Sequence, residues 1–256
     1  MTGDELEQGT QTFSRRALLG STVAAGAVAA AAGFAAGHAS HGQSATSTAG
    51  TALPTPENVG DAKAIGLLLF DGVEELDFAG PWEVFGAWSI DFPQDNYRPV
   101  SISLDSRQVR CAQGLDVVAQ HTYHEAPPLD VLLVPGGKGW RRLVNEPASI
   151  AKIQKLTEHV NLVASVCTGS LLLAKAGYLR NRRATTHWSE LDTLTTLDPT
   201  ISVDRDSRYV DGGEYVTSSG VSAGVDMALY MVSKLISPAR AGEVAHALQY
   251  THRWQL

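Results

Sequence analysis

The chain has 256 residues, 44% of them hydrophobic and 18% charged, with a formal net charge of −7. That length and composition fit one α/β domain with additions better than two full domains, and the negative balance argues against a broad nucleic-acid footprint. Two cysteines, Cys111 and Cys167, are too few for a disulfide framework, although they could form one bridge.

The first segment differs from the rest. Ser14 to Gly20 reads SRRALLG, with paired arginines, and residues 17–37 then carry no charge. Gly37 and Ala39 are small residues suited to a signal-peptidase cut after Ala39. A basic region, an apolar region and a small-residue site, in that order, predict an export signal over residues 1–39. The paired arginines make it a twin-arginine type, which directs the protein to the periplasm or the exterior. The alternative is a membrane anchor, because the segment is long enough to span. Its alanine and glycine content favours a cleaved signal without stable insertion. Residues 40–61 are rich in Ser, Thr, Gly, Ala and Pro, the composition of a flexible linker. The folded domain is therefore expected over residues 62–256.

Ala64 to Phe70, AIGLLLF, is a continuous apolar run, as in a strand buried on both faces. Gly80-Pro81 reads as a helix start, because proline is tolerated in the first turn. Trp82, Val84, Phe85 and Trp88 then fall on one helical face. Arg98–Leu104, Leu115–Tyr123 and Leu129–Gly137 read as further strands, the last ending in a glycine pair. Glu146–Val160 is amphipathic, with Ile150, Ile153, Leu156 and Val160 at helical spacing. A strand from Leu162 to Val166 runs into a helix from Thr168 to Ala176, closed by Gly177. Arg182–Trp188 gives a short strand and Ser189–Leu197 a helix. Ser207–Ser219 reads as a hairpin around Asp211-Gly212-Gly213. Val221–Ser237 is a long apolar helix stopped by Pro238, and a last helix follows through Tyr250. Alternating strands and helices, several strands being uniformly apolar, predict an α/β fold. Its sheet should be twisted, mostly parallel and covered by helices on both faces.

Cys167 falls at the seam between a strand and a helix. A tight turn there is the geometry of a nucleophile elbow, with sulfur in place of a serine oxygen. It pushes the side chain out at the carboxyl end of the sheet, where α/β proteins place their sites. The adjoining helix N-terminus is expected to stabilise the thiolate. The competing interpretation is a buried core cysteine. Cys111, in RQVRCAQG, has no comparable setting. His187, in TTHW, suggests a Cys–His dyad but is equally a packed structural residue. His121, His124 and His246 show no metal-ligand spacing, and Gly136-Gly137 lacks the lysine pattern of a phosphate loop.

LDFAGPWEVF, VPGG, SVCTGSLLLAKAG and RRATTHW stand in this chain in the order and spacing of the DJ-1/PfpI superfamily. Within it the chain is most similar to the isonitrile hydratase branch, over nearly all of residues 65–250. The resemblance implies a flavodoxin-like sandwich, usually a homodimer, acting on a small molecule with no metal or organic cofactor. It implies that Asp77 is the acid that meets Cys167. The alternative for Asp77 is a helix cap ahead of Gly80-Pro81. It also implies that Thr168 follows the nucleophile as a hydroxyl donor, where the alternative is simply a first helical residue. Gly137 matches a backbone donor to the anion site. The branch tends to have a glycine run before the helix near Ser222, and Ser218-Ser219-Gly220 departs from it. That departure bears on the pocket wall. Two like charges would repel, so Asp77 is expected to be protonated, or to share a proton with Cys167, while the thiolate exists.

The implied activity is hydration of isonitriles to N-substituted formamides through a covalent thioimidate. Rival expectations are another cysteine enzyme of the superfamily, an amidase or glyoxalase-like hydratase, and a non-enzymatic thiol sensor. Related motifs also occur in the sensory domain of AraC-type regulators, which add a C-terminal helix-turn-helix. None is expected after Leu256.

Overall fold

The structure, a computed structural model, describes residues 60–251. The expected export signal and residues 40–59 of the linker lie outside the described residues. Within them no helix is long and apolar enough to cross a membrane.

In chain order the strands are β1 Lys63–Leu69, β2 Tyr97–Ser103, β3 Gln108–Arg110, β4 Asp116–Val118, β5 His121–Thr122, β6 Val131–Val134, β7 Leu162–Ser165, β8 Arg183–Ala184, β9 Ser202–Val203, β10 Tyr209–Asp211 and β11 Tyr215–Ser218. The α-helices are α1 Glu75–Asp91, α2 Trp140–Leu143, α3 Pro147–Thr157, α4 Gly169–Lys175, α5 Leu191–Leu197, α6 Ala223–Leu235 and α7 Pro238–Ala247. Seven strands form one sheet in the order β10-β11-β7-β6-β1-β2-β5. Every pairing is parallel except β10 with β11.

The uniformly apolar strands are the central ones, covered on both faces. Ile65 and Leu67 of β1 face the layer that holds Phe85 and Trp88 of α1 and Met227 of α6. Leu68 faces the opposite layer, with Ile153 of α3 and Leu171 and Leu172 of α4. Alternation along a strand sends successive side chains into separate cores. Gly66 lies between them, where a Cβ would come within 2.7 Å of a Leu129 methyl.

Two elements depart from the sequence-based expectation. Helix α1 begins at Glu75, not at Gly80-Pro81. Glu75 and Asp77 occupy its first turn, where the helix dipole favours acids. The Glu75 carboxylate also accepts the backbone N–H of Gln113 at 2.8 Å. Gly80-Pro81 is instead a helix-packing contact: a Cβ on Gly80 would meet Val225 at 2.8 Å. Pro81 denies the Asp77 carbonyl its usual helical donor. Leu115–Tyr123 is two strands, not one. Asp116–Val118 pairs with Gln108–Arg110 in a separate hairpin, and only His121–Thr122 joins the main sheet. Between them the Arg107 guanidinium takes the carbonyls of Ala119 and Gln120 at 2.9 and 2.7 Å, so the ladder cannot continue.

Candidate active site

β7 ends at Ser165 and α4 starts at Gly169. Between them Cys167 adopts φ 57°, the left-handed region, which disfavours a side chain. The surroundings hold it there. Its N–H donates to the carbonyls of Ser218 and Ser219, both at 3.2 Å. Its carbonyl accepts from Thr186 Oγ1 at 2.9 Å and Ser170 Oγ at 3.2 Å. Gly169 lets the helix start hard against β6, since a Cβ there would lie 2.0 Å from the Val134 carbonyl oxygen.

Asp77 reaches Cys167 from α1. It is fully buried. Its Oδ2 accepts the Gly136 N–H at 3.0 Å, its Oδ1 is buried without a hydrogen-bond partner, and its carboxyl lies near enough to the Cys167 thiol for each to shift the other's ionisation. A Cβ on Gly136 would sit 2.4 Å from Thr168 Oγ1 and 3.0 Å from Asp77 Oδ2. The first glycine of the pair is therefore what lets acid and elbow approach.

Thr168 and Gly137 are joined: Gly137 N–H donates to Thr168 Oγ1 at 3.0 Å. This changes the role expected of Gly137. Its N–H is already engaged, so it acts through the threonine and not as a direct donor to the anion site. With Oγ1 accepting from Gly137, the Thr168 hydroxyl hydrogen is left to serve another acceptor. Gly137 itself has φ 118°, and a Cβ there would lie 2.2 Å from Glu74 N. Gly137→Ala is expected to cost about 2 kcal/mol or more, from strain alone, and a lowered thermal midpoint checks it.

Val221 was not foreseen from sequence. Its N–H, with that of Thr168, lies near enough to the Cys167 sulfur to favour the anionic thiolate. It holds φ 50°, a costly conformation for a β-branched residue. No local signal in the sequence announces this. Thr186 was likewise missed, although it stands beside His187 in the quoted motif.

His187 lines the same cleft. Its Nδ1 lies 2.8 Å from Ser189 Oγ and accepts the Ser189 N–H at 3.3 Å. A ring with Nδ1 as acceptor carries its proton on Nε2. Gly220 makes room for the ring, since a Cβ there would be 2.3 Å from His187 Cδ2. The ionisation of the thiol is coupled to the Asp77 carboxyl, not to this imidazole.

Burial, reinforced by the Glu74 charge, raises the Asp77 carboxyl to about 7, against the pull of the Gly136 N–H and the thiol. Burial and the Asp77 charge push the Cys167 thiol up to about 12, against the N–H groups of Thr168 and Val221. The expected low-pKa thiolate is thereby corrected. The helix behind Cys167 is only seven residues long, and desolvation beside a second acid outweighs its terminus. The two acids behave as one coupled dyad: between about 7 and about 12 they hold one proton and one negative charge together. Thiolate forms when Asp77 takes the thiol proton. Alkylation of Cys167 by iodoacetamide is thus expected to be slow at pH 5 and to rise through about pH 7, where the dyad first ionises. Cys111, buried and pushed up to about 11, should stay slow throughout. A Cys167 rate already at its plateau at pH 5 would contradict the coupling. Both thiols are free.

Cys167 opens into a cleft of about 320 Å³, bounded by Glu74, Trp140, Arg141 and His187 among others. A larger hollow of about 700 Å³ runs beside α7, lined by His246 and Tyr250, and contains neither dyad residue. Among the described residues no group of three or more His, Cys, Asp or Glu side chains could hold a metal ion.

Comparison with known proteins agrees with this architecture. Residues 63–234 match the DJ-1/PfpI family. The isonitrile hydratase of Pseudomonas putida is 35% identical over 192 residues, covering 74% of this chain and 79% of that protein. The transcriptional regulator GbdR of Pseudomonas aeruginosa is 29% identical, over 67% of this chain and 46% of its own length. Among solved structures, a ThiJ/PfpI family protein from Pseudomonas syringae superposes with a TM-score of 0.67 at 27% identity, covering 75% of this chain and 76% of that one. With an elbow cysteine, its buried acid partner and the glycine pair in place on a matching sheet, the chain belongs to the DJ-1/PfpI family.

Proposed function

We propose that the protein hydrates isonitriles to N-substituted formamides. The observation that carries this reading is the buried Asp77 carboxyl brought to the elbow Cys167, a pair that holds one exchangeable proton between about pH 7 and about 12. The terminal carbon of an isonitrile accepts both a nucleophile and a proton. A base that deprotonates the thiol and then protonates the attacked carbon suits that chemistry.

In the first step Asp77 takes the Cys167 proton. The thiolate forms an S–C bond to the terminal carbon while Asp77 returns the proton to the same carbon. The result is a thioimidate. Asp77, again a carboxylate, takes a proton from water as the oxygen adds to that carbon and passes it to the imidate nitrogen, which leaves a neutral tetrahedral adduct and a carboxylate. The tetrahedral adduct then breaks its C–S bond as its hydroxyl proton passes to Asp77; thiolate leaves the formamide behind, and the Asp77–Cys167 pair again holds one proton. Thr168, fixed through Gly137, presents its hydroxyl hydrogen to the charge that develops on the substrate. The Thr168 and Val221 N–H groups steady the sulfur while it is anionic.

The direct test is incubation with simple alkyl and aryl isonitriles, followed by mass spectrometry for the formamide. Catalytic formamide production is expected, and its absence with the whole panel overturns the proposal.

A further inference from the structure

We propose that Glu74 is a ligand-binding carboxylate, and that it selects substrates whose substituent carries an ammonium or a comparable N–H donor. The nature of the reacting group rests on the isonitrile reading; the assignment of Glu74 does not.

The cleft over Cys167 has several charged side chains on its walls. Besides Cys167, its ionisable lining residues are Glu74, Lys138, Arg141, His187 and Glu190, and Arg141, His187 and Glu190 are tied to other residues. Arg141 is held by Glu190 at 2.6 Å and lies over the Trp140 ring. Glu190 also accepts from Thr193 Oγ1 at 2.8 Å. His187 is tied to Ser189. Lys138 is exposed and directs Nζ to the Ala112 carbonyl at 3.4 Å.

Glu74 stands apart. It occupies the N-cap of α1 but makes no side-chain cap bond. Its neighbour Glu75, in contrast, is fastened to the Gln113 and Leu115 N–H groups. The Glu74 carboxylate has only the Gln113 Nε2 contact, at 3.4 Å. Among the described residues it forms no ion pair. It is half-buried, and its charge is felt by Asp77, so it stands near the dyad. A partly buried carboxylate that no side chain pairs favours a ligand that brings a cation. An alkyl substituent entering the cleft would strip water from Glu74 and return nothing. An ammonium would replace that water with a charge-assisted hydrogen bond.

Two ratios test the assignment. The first compares kcat/KM for 3-aminopropyl isonitrile and n-butyl isonitrile at pH 7. A preference of roughly tenfold for the amine is expected, the usual size for a hydrogen bond to a charged group, falling to about one in Glu74→Gln. The second compares the rates at which 2-aminoethyl and ethyl methanethiosulfonate modify Cys167, read by peptide mass mapping. A change in thiolate population alters both reagents alike and cancels in this ratio, so a drop in Glu74→Gln reports the carboxylate itself. Glu74→Ala, a second uncharged variant, should give the same lowered ratio. If the thiol-modification ratio is unchanged in both variants, Glu74 serves only to tune Asp77 and the proposal is overturned. If that ratio falls while no isonitrile is turned over, the Glu74 assignment stands and the isonitrile reading fails.

Discussion

Replacing Cys167 with alanine is expected to bring isonitrile hydration to background, a loss on the order of 10⁴-fold or more, as for other covalent nucleophiles. No second nucleophile substitutes for it. Cys111 lies outside the cleft, buried in the core cluster with Val73 and Val109. Thr168 Oγ1 is engaged by Gly137 N–H. The elbow itself should survive the change. Its left-handed turn is held by backbone bonds to Ser218 and Ser219 and by Thr186, none of which uses the sulfur. Far-ultraviolet circular dichroism should therefore match the wild type. Residual formamide at more than a few per cent of the wild-type rate would show that sulfur is not the attacking atom.

Asp77→Asn should fall nearly as far, by about 10²- to 10⁴-fold, the usual range for a general acid–base group. Asparagine keeps the shape but can neither take the thiol proton nor return it to carbon. The acid limb of the rate profile near pH 7 should vanish with it, because that limb is the first ionisation of the dyad. Stability provides the control. The folded protein holds the Asp77 proton up to about pH 7, against an unperturbed value of 3.8. The associated stability is complete below that unperturbed value and is lost as pH rises through about 7. A shift of this size corresponds to roughly 4 kcal/mol. Asp77→Asn lacks this slope and should melt higher than wild type at pH 8 while being inactive. His187→Ala should cost far less activity, since His187 is bonded to Ser189 and the thiol's ionisation is coupled to Asp77. Near-total loss in a folded His187→Ala, with modest loss in Asp77→Asn, would favour a Cys–His enzyme instead.

Much of this protein could be read locally. The apolar runs of β1, β6 and β7 announce strands covered on both faces, because alternation is lost only where both sides meet a core. Asp211-Gly212-Gly213 specifies the β10–β11 hairpin by turn chemistry alone. A cysteine between an apolar strand and a glycine-led helix has little choice but a tight turn. The motifs around it were enough to suggest the family and to single out Asp77, Thr168, Gly137 and His187.

Tertiary structure decided what those residues do. The start of α1 depended on the contact of Gly80 and Pro81 with α6, which overrides the helix-start tendency of a Gly-Pro pair. The role of Gly137 changed because its N–H meets Thr168, a residue on another strand-to-helix turn. The strained Val221 has no signature in sequence, since nothing in its neighbours along the chain calls for a positive φ at a β-branched residue. Above all, the direction of the Cys167 shift reversed. A helix N-terminus can be seen in sequence and favours a thiolate. Desolvation and a buried carboxylate brought in from α1 cannot be seen there, and in a water-excluded site they are the larger effects.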